Sequence, residues 1–452
     1  MTAVLQRLQS KIGYKFEREP GNNAPIWGFS NFLEEKPTAY FESFVRSHAV
    51  LNFEYSVFCS KLANDLLQKN SGANSSLCDD ELNEQVASAL AMSELLTYIY
   101  RHYLSVPREV ARLKEEQAIF RTWLQSRNYY QFEASNVVAQ QDTKTMSSPG
   151  FFTQQVRDRT AWLNWPRLFT VRGRRVLTTL IQIPRIQKEE YFCRFILFAD
   201  QFANPALTYF SWIFYVPRLA VNMVLLFKHL IPGPWLEAKE KDLSWLTRLQ
   251  GQLLRRWFEL GNDVIWLTGG LLNCFVLTGA LAPIGMYLTI SFFLFDALWA
   301  GLRAFIELGR LNKLEKQYAL MEQEFRLNSP EKLKEIKEYQ QHLQQRMSFE
   351  RQRLTLSVIT TSTLFLGMCL AIPAFANPVM VFIGAVLVVT ITLINYLKVQ
   401  QLEKQRPPNN LMELAKPQYR DLLTKEGIFK TSTPQPHLSP LIENNDSIQI
   451  KC

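Results

Sequence analysis

Asp296 sits inside the apolar run FFLFDALWAGLR, where a carboxylate must find a hydrogen-bond donor, a cation or a proton. Two cations could serve it. Arg303 lies two helical turns further along, and Arg218, within YVPRLAVNMVLLF, could approach if its segment packs beside the run. A group made of Asp296, Arg303 and Arg218 would suit an ion or proton path. The preferred reading is a packing or orientation device, with Asp296 near a helix end and turned toward Arg303. Asn273 and Asn395 add side chains able to bond between apolar helices, for roughly 0.6 to 2 kcal/mol each. Elsewhere the chain offers little chemistry. No HExxH helix, paired CxxC, nucleophile elbow or phosphate-cradling glycine loop occurs. The five histidines (His48, His102, His229, His342, His437) are dispersed without metal-ligand spacing, so no metal and no other cofactor is expected. The six cysteines lie far apart, which excludes a disulfide framework and suits a reducing compartment. No catalytic residue can be nominated, and the chain reads as non-enzymatic.

The elements that must hold these side chains are long apolar runs. Val264 to Ala282 and Met286 to Leu302 are joined by Pro283-Ile284-Gly285; Leu354 to Phe375 and Val379 to Leu397 are joined by Ala376-Asn377-Pro378. Each run approaches the roughly 20 residues a helix needs to cross a hydrocarbon core about 30 Å thick. Both turns are uncharged. Arg255, Arg256 and Arg303 flank the open end of the first pair, and Arg351, Arg353 and Lys398 that of the second. Two transmembrane hairpins with their feet on the positive, cytoplasmic-type side are therefore expected. Residues 191–231 are ambiguous: Leu207 to Val216 and Leu219 to Phe227 are half-spans separated by Pro217-Arg218. They form either one kinked span with Arg218 near its middle or a re-entrant hairpin. The second is preferred here, because a single crossing would strand the preceding basic residues on the opposite side.

The remaining segments look water-facing or interfacial. Between Arg303 and Arg353, Leu311, Leu314, Tyr318, Met321 and Phe325 step by 3, 4, 3 and 4, the spacing of a coiled-coil seam. Ser329-Pro330-Glu331 restarts a helix, so an antiparallel hairpin with arms about 37 Å long is expected on the cytoplasmic-type side. Residues 1–190 read as a mostly helical soluble region that turns basic from Val156 to Lys188, with Trp162, Trp165 and Phe169 interleaved. That basic stretch suits either a membrane surface or the solvated face of a soluble domain. The formal charge of +9 is read as attraction to anionic lipid heads, about 1 kcal/mol per cation, rather than to nucleic acid. The division expected is then 1–190 helical region, 191–231 re-entrant or kinked membrane segment, 232–262 amphipathic interfacial connection, 263–302 transmembrane hairpin, 303–353 coiled-coil hairpin, 354–398 transmembrane hairpin, and 399–452 disordered tail.

The runs ADQFANPALTYFSWIFYVPRLAVNMVLLFKHLIPGPW, RRWFELGNDVIWLTGGLLNCF and RAFIELGRL resemble a family of uncharacterised multi-spanning, coiled-coil membrane proteins of Legionella-type bacteria. The resemblance covers about Tyr191 to Tyr318. It implies a candidate effector delivered by type IV secretion, and the tail LIENNDSIQIKC, with Glu443 and Asp446 before Ile450, is compatible with that. The expectation is an all-α integral membrane protein, in the bacterial inner membrane or, if secreted, in a host organelle membrane. Its expected role is a scaffold that recruits a protein partner, or self-associates, through the helical hairpin. The alternative is a transporter or channel using Asp296.

Overall fold

The computed structural model describes residues 2–16, 24–70, 79–132, 149–236, 238–370 and 377–405. Most of the stretch from 399 expected to be a disordered tail, and residue 376 of the expected Ala376-Asn377-Pro378 turn, lie outside them. Among the described residues every regular element is a helix, with one isolated parallel bridge between Ile26 and Gln131.

The first five helices form a bundle: α1 (Ala3–Ile12), α2 (Phe29–Glu35), α3 (Glu42–Asn70), α4 (Asp79–His102) and α5 (Pro107–Ser126). Helix α4 opens on Asp79, Asp80 and Glu81 and closes on Arg101 and His102, which complements its dipole at both ends. Pro107 opens α5, where a missing N–H leaves no helical bond unmade. Tyr55, Phe58, Leu62, Leu90, Leu95, Ile99, Leu113 and Phe120 form the dry centre.

Two long helices link this bundle to the apolar region. Helices α10 (Ala282–Asn328, 47 residues) and α11 (Leu333–Cys369, 37 residues) run about 70 and 55 Å. They are antiparallel, with the Tyr318 carbonyl accepting from Gln340 and Arg351 paired to Glu315 at 2.8 Å. Leu314, Tyr318 and Phe325 of the expected seam are buried, and Leu311 and Met321 pack half-buried against them. The seam does not close on α11 alone. Helix α3 packs on α11 and α10 as a third wall, Tyr318 donates to Glu54 at 2.9 Å, and Arg7 is ion-paired with the same carboxylate. The hairpin's apolar stripe is thus covered by the chain's own N-terminal bundle.

Among the described residues, three helices are long and apolar enough to cross a membrane: Glu190–Leu230, Pro283–Asn328 and Pro378–Lys404. The first consists of α7 (Glu190–Ile213) and α8 (Tyr215–Leu230), separated only by Phe214. Phe214 keeps helical angles, φ −57° and ψ −34°, so the chain continues helically from α7 into α8 and does not fold back. Pro217 falls in the first turn of α8, where proline is tolerated. The preference for a re-entrant hairpin at this point is corrected accordingly.

Helix α9 (Trp245–Leu271) joins the amphipathic connection to the first apolar run without a break. Its reversal also comes earlier than Pro283-Ile284-Gly285. A π turn at Leu272–Val276 and Gly279, in the left-handed region at φ +57°, turn the chain, and Pro283 lies in the first turn of α10. The last helix, α12 (Pro378–Lys404), packs on α11 and carries helix six residues into the stretch expected to be disordered. Gly367 and Gly384 let these two backbones approach closely: a Cβ on Gly384 would stand 2.9 Å from the Gly367 carbonyl oxygen. Helix α6 (Pro149–Leu180), which holds the basic stretch, lies along α12.

Candidate functional site

The three nominated charges are held apart, each with a different partner. Both oxygens of Asp296 accept from the indole Nε1 of Trp266, at 3.0 and 3.1 Å. That indole is fixed by a parallel contact with Tyr215 and an edge contact with Phe293. Arg303 bonds Glu307 one turn along its own helix at 2.7 Å and lies over the Phe258 ring. Arg218 pairs with Asp263, its Nε 2.6 Å from Oδ1, while Asn222 donates to the other oxygen at 3.4 Å. Asp263 is fully buried, so its charge depends on this pair.

Asp263 was missed because it stands one residue before the apolar run that begins at Val264. Its signal was present in GNDVIW: an acidic residue at the mouth of a span, with an unmatched arginine in the neighbouring apolar segment.

The larger omission is α6. Four of its arginines are bonded to neighbouring apolar helices. Arg167 donates to the Tyr215 hydroxyl at 2.9 Å and covers the rings of Phe214 and Tyr215. Arg172 donates to Thr392 on α12, Arg174 pairs with Asp200 on α7 at 2.5 Å, and Arg175 reaches the sulfur of Met368 at 3.3 Å. Trp165 and Phe169 pack on Tyr396. Arg172 also feels the charge of Asp296. A belt of guanidinium, carboxylate and hydroxyl groups therefore ties α6, α7, α8, α9, α10 and α12 together. Its bonds are made within the protein, and among the described residues no group of His, Cys, Asp and Glu could hold a metal ion.

A second polar cluster joins the N-terminal bundle to the end of α8. His229 and Glu240 are both buried and lie 2.7 Å apart, Ser105 donates to Glu240 at 2.9 Å, and Lys239 is ion-paired with Glu34. Glu34 is held down to about 2, first by a hydrogen bond from His102 and then by Lys239. Below this cluster, Val45 and Leu104 approach Gly251 of α9, and Thr247 donates to Glu42 at 2.8 Å. The bundle is thereby seated on α9 as well as on α10 and α11.

One cleft of about 300 Å³ lies in the bundle between α1, α3 and α4. Leu8, Phe44, Val50 and Met92 give it an apolar wall, and Arg7, Lys11, Ser43 and Ser47 a polar one. Burial, with Arg7 and Lys313 nearby, pushes the Lys11 amine down to about 8.

No protein-family model matches this chain, and no curated protein or solved structure matches it either.

Proposed function

We propose that this chain is a non-enzymatic, membrane-anchored scaffold that holds a helical domain at a fixed height above a bilayer. The observation that supports this most is the seating of the N-terminal bundle. The Tyr318–Glu54–Arg7 group attaches it to α10, while the same α10 runs unbroken into the apolar region. Because the seam residues Leu314, Tyr318 and Phe325 are covered internally, partner binding or self-association falls to the outer faces of the bundle and arms. Leu320 and Leu327, seven residues apart and exposed on α10, mark one such face. Following the resemblance at Tyr191 to Tyr318, the scaffold works on a host organelle membrane after type IV secretion, or on the bacterial inner membrane if it is retained.

The second reading, a transporter using Asp296, draws on the belt of charges among apolar helices. The belt's mutual pairing favours a clamp over a path. Reconstitution of the full chain into liposomes with a proton or cation flux assay separates the two. The scaffold reading expects no flux above empty liposomes. A flux abolished by Asp296→Asn would establish transport in its place.

A further inference from the structure

We infer that α6 from Leu163 onward is itself embedded in lipid, its outer face packed by acyl chains and its arginines Arg167, Arg172, Arg174 and Arg175 turned inward. This rests on the reading that α7 with α8, α10 and α12 enter a membrane, and it adds an element that no apolar run announces.

The sidedness of α6 is inverted relative to a helix in water. From Leu163 onward its exposed positions are Leu163, Pro166, Thr170 and Leu177, none of them charged. Leu163, Thr170 and Leu177 repeat every seven residues, which places them on one stripe. The Thr170 hydroxyl is satisfied by the Pro166 carbonyl at 2.8 Å, so the stripe presents no free polar group. The arginines lie on the other side: Arg167 is buried and Arg172, Arg174 and Arg175 are half-buried, each bonded to a neighbouring helix. A solvated basic helix would show its guanidinium groups outward. Lipid is the surrounding that rewards the reverse.

Length and direction agree. Exposed Arg159 precedes the segment, and exposed Arg185 and Lys188 follow it. The helix from Arg159 to Leu180 covers about 33 Å, enough for the hydrocarbon core. Trp165 against Tyr396 and Arg172 on Thr392 set α6 antiparallel to α12, and Arg175 reaches Met368 on α11. Leu180 lies about 12 Å beyond Arg172, toward the end where α12 begins. The chain then reverses, and Arg167 on Tyr215 with Arg174 on Asp200 set α7 and α8 antiparallel to α6. Helices α6, α7 and α8 thus form a third hairpin, whose turn at 181–189 faces the same side as the turn near Gly279 and the start of α12 at Pro378. The N-terminal bundle and the arms of α10 and α11 stay together on the other side.

The test is accessibility in sealed membrane vesicles of known orientation. Full-length, cysteine-free protein carries one cysteine at a time, Gln187→Cys, Thr278→Cys or Asn328→Cys, and is treated with a membrane-impermeant maleimide. The expected result is that Gln187→Cys and Thr278→Cys react from one side and Asn328→Cys from the other. If Gln187→Cys reacts with Asn328→Cys while Thr278→Cys stays opposite, the third hairpin is overturned and the membrane reading stands. If all three react from one side, both fall. A second measurement uses the unaltered chain with a lipid-phase diazirine probe. Carbene adducts at Leu163 or Leu177 support the inference, and adducts on α7 and α12 with none on α6 overturn it.

Discussion

At the residue scale, Asp263 and Asp296 differ in what their removal or mismatch exposes. Asp263 is fully buried and depends on Arg218, so Arg218→Ala leaves an uncompensated charge and is expected to destabilise the fold by about 3–5 kcal/mol. Asp296 accepts from Trp266, and an amide oxygen can accept the same proton, so Asp296→Asn is expected to cost about 1 kcal/mol or less. Unfolding followed in lipid or detergent discs would show this contrast; equal losses would mean the two carboxylates are misassigned. The buried His48 gives a pH signature in the N-terminal bundle, away from the long apolar helices. Burial, more than Arg255 and Arg310, holds its imidazole below the usual value, although its Nδ1 lies 2.7 Å from the Val45 carbonyl. A base depressed in the fold binds more protons once unfolded. Stability is therefore full above the ordinary histidine value of about 6.5 and declines as pH falls through it. His48→Gln is expected to flatten the stability of the full chain between about pH 7.5 and pH 5.5. An unchanged slope would show that other groups carry it.

At the element scale, two crossings decide whether the helices hold their register. Tyr318 is fully buried at the meeting of α3, α10 and α11. Tyr318→Ala is expected to cost about 3–5 kcal/mol and to loosen the bundle from the arms. Tyr318→Phe keeps the volume and loses mainly the bond to Glu54, expected near 1–3 kcal/mol. Hydrogen exchange in α3 reads both. At the α11–α12 crossing, Gly384→Val would push into the Gly367 carbonyl, and disulfide trapping between positions on the two helices should slow. Much of this was legible beforehand. The 3–4 spacing picked out residues that are buried or half-buried, and the apolar runs located α10 and α12, because a buried stripe and a long apolar helix both write themselves in side-chain type. The occupant of the seam was not legible, since nothing in Leu311 to Phe325 distinguishes a two-helix contact from one shared with α3. The turn before α10 was misplaced because Pro283 marks a first turn as readily as it marks a break.

At the scale of the whole molecule, α6 shows where composition fails. Its inward arginines lower its mean hydropathy until it resembles a soluble helix, and only the side each residue faces reveals otherwise. The partners of Asp296 and Arg218 were hidden for the same reason: pairing is a property of packed helices, and spacing along the chain constrains it weakly. What the assembled molecule offers is a domain fixed to its long apolar helices and the arms that continue them at three places, on α9, on α10 with α11, and at the end of α8. A scaffold needs that fixity, whereas a tethered binding module would swing. The most direct test places spin labels at Asp80→Cys on the bundle and Leu298→Cys on the apolar part of α10 and measures their separation in a bilayer. One narrow distance distribution is predicted, unchanged by salt. A broad or two-peaked distribution would contradict the fixed seating on which the scaffold reading depends.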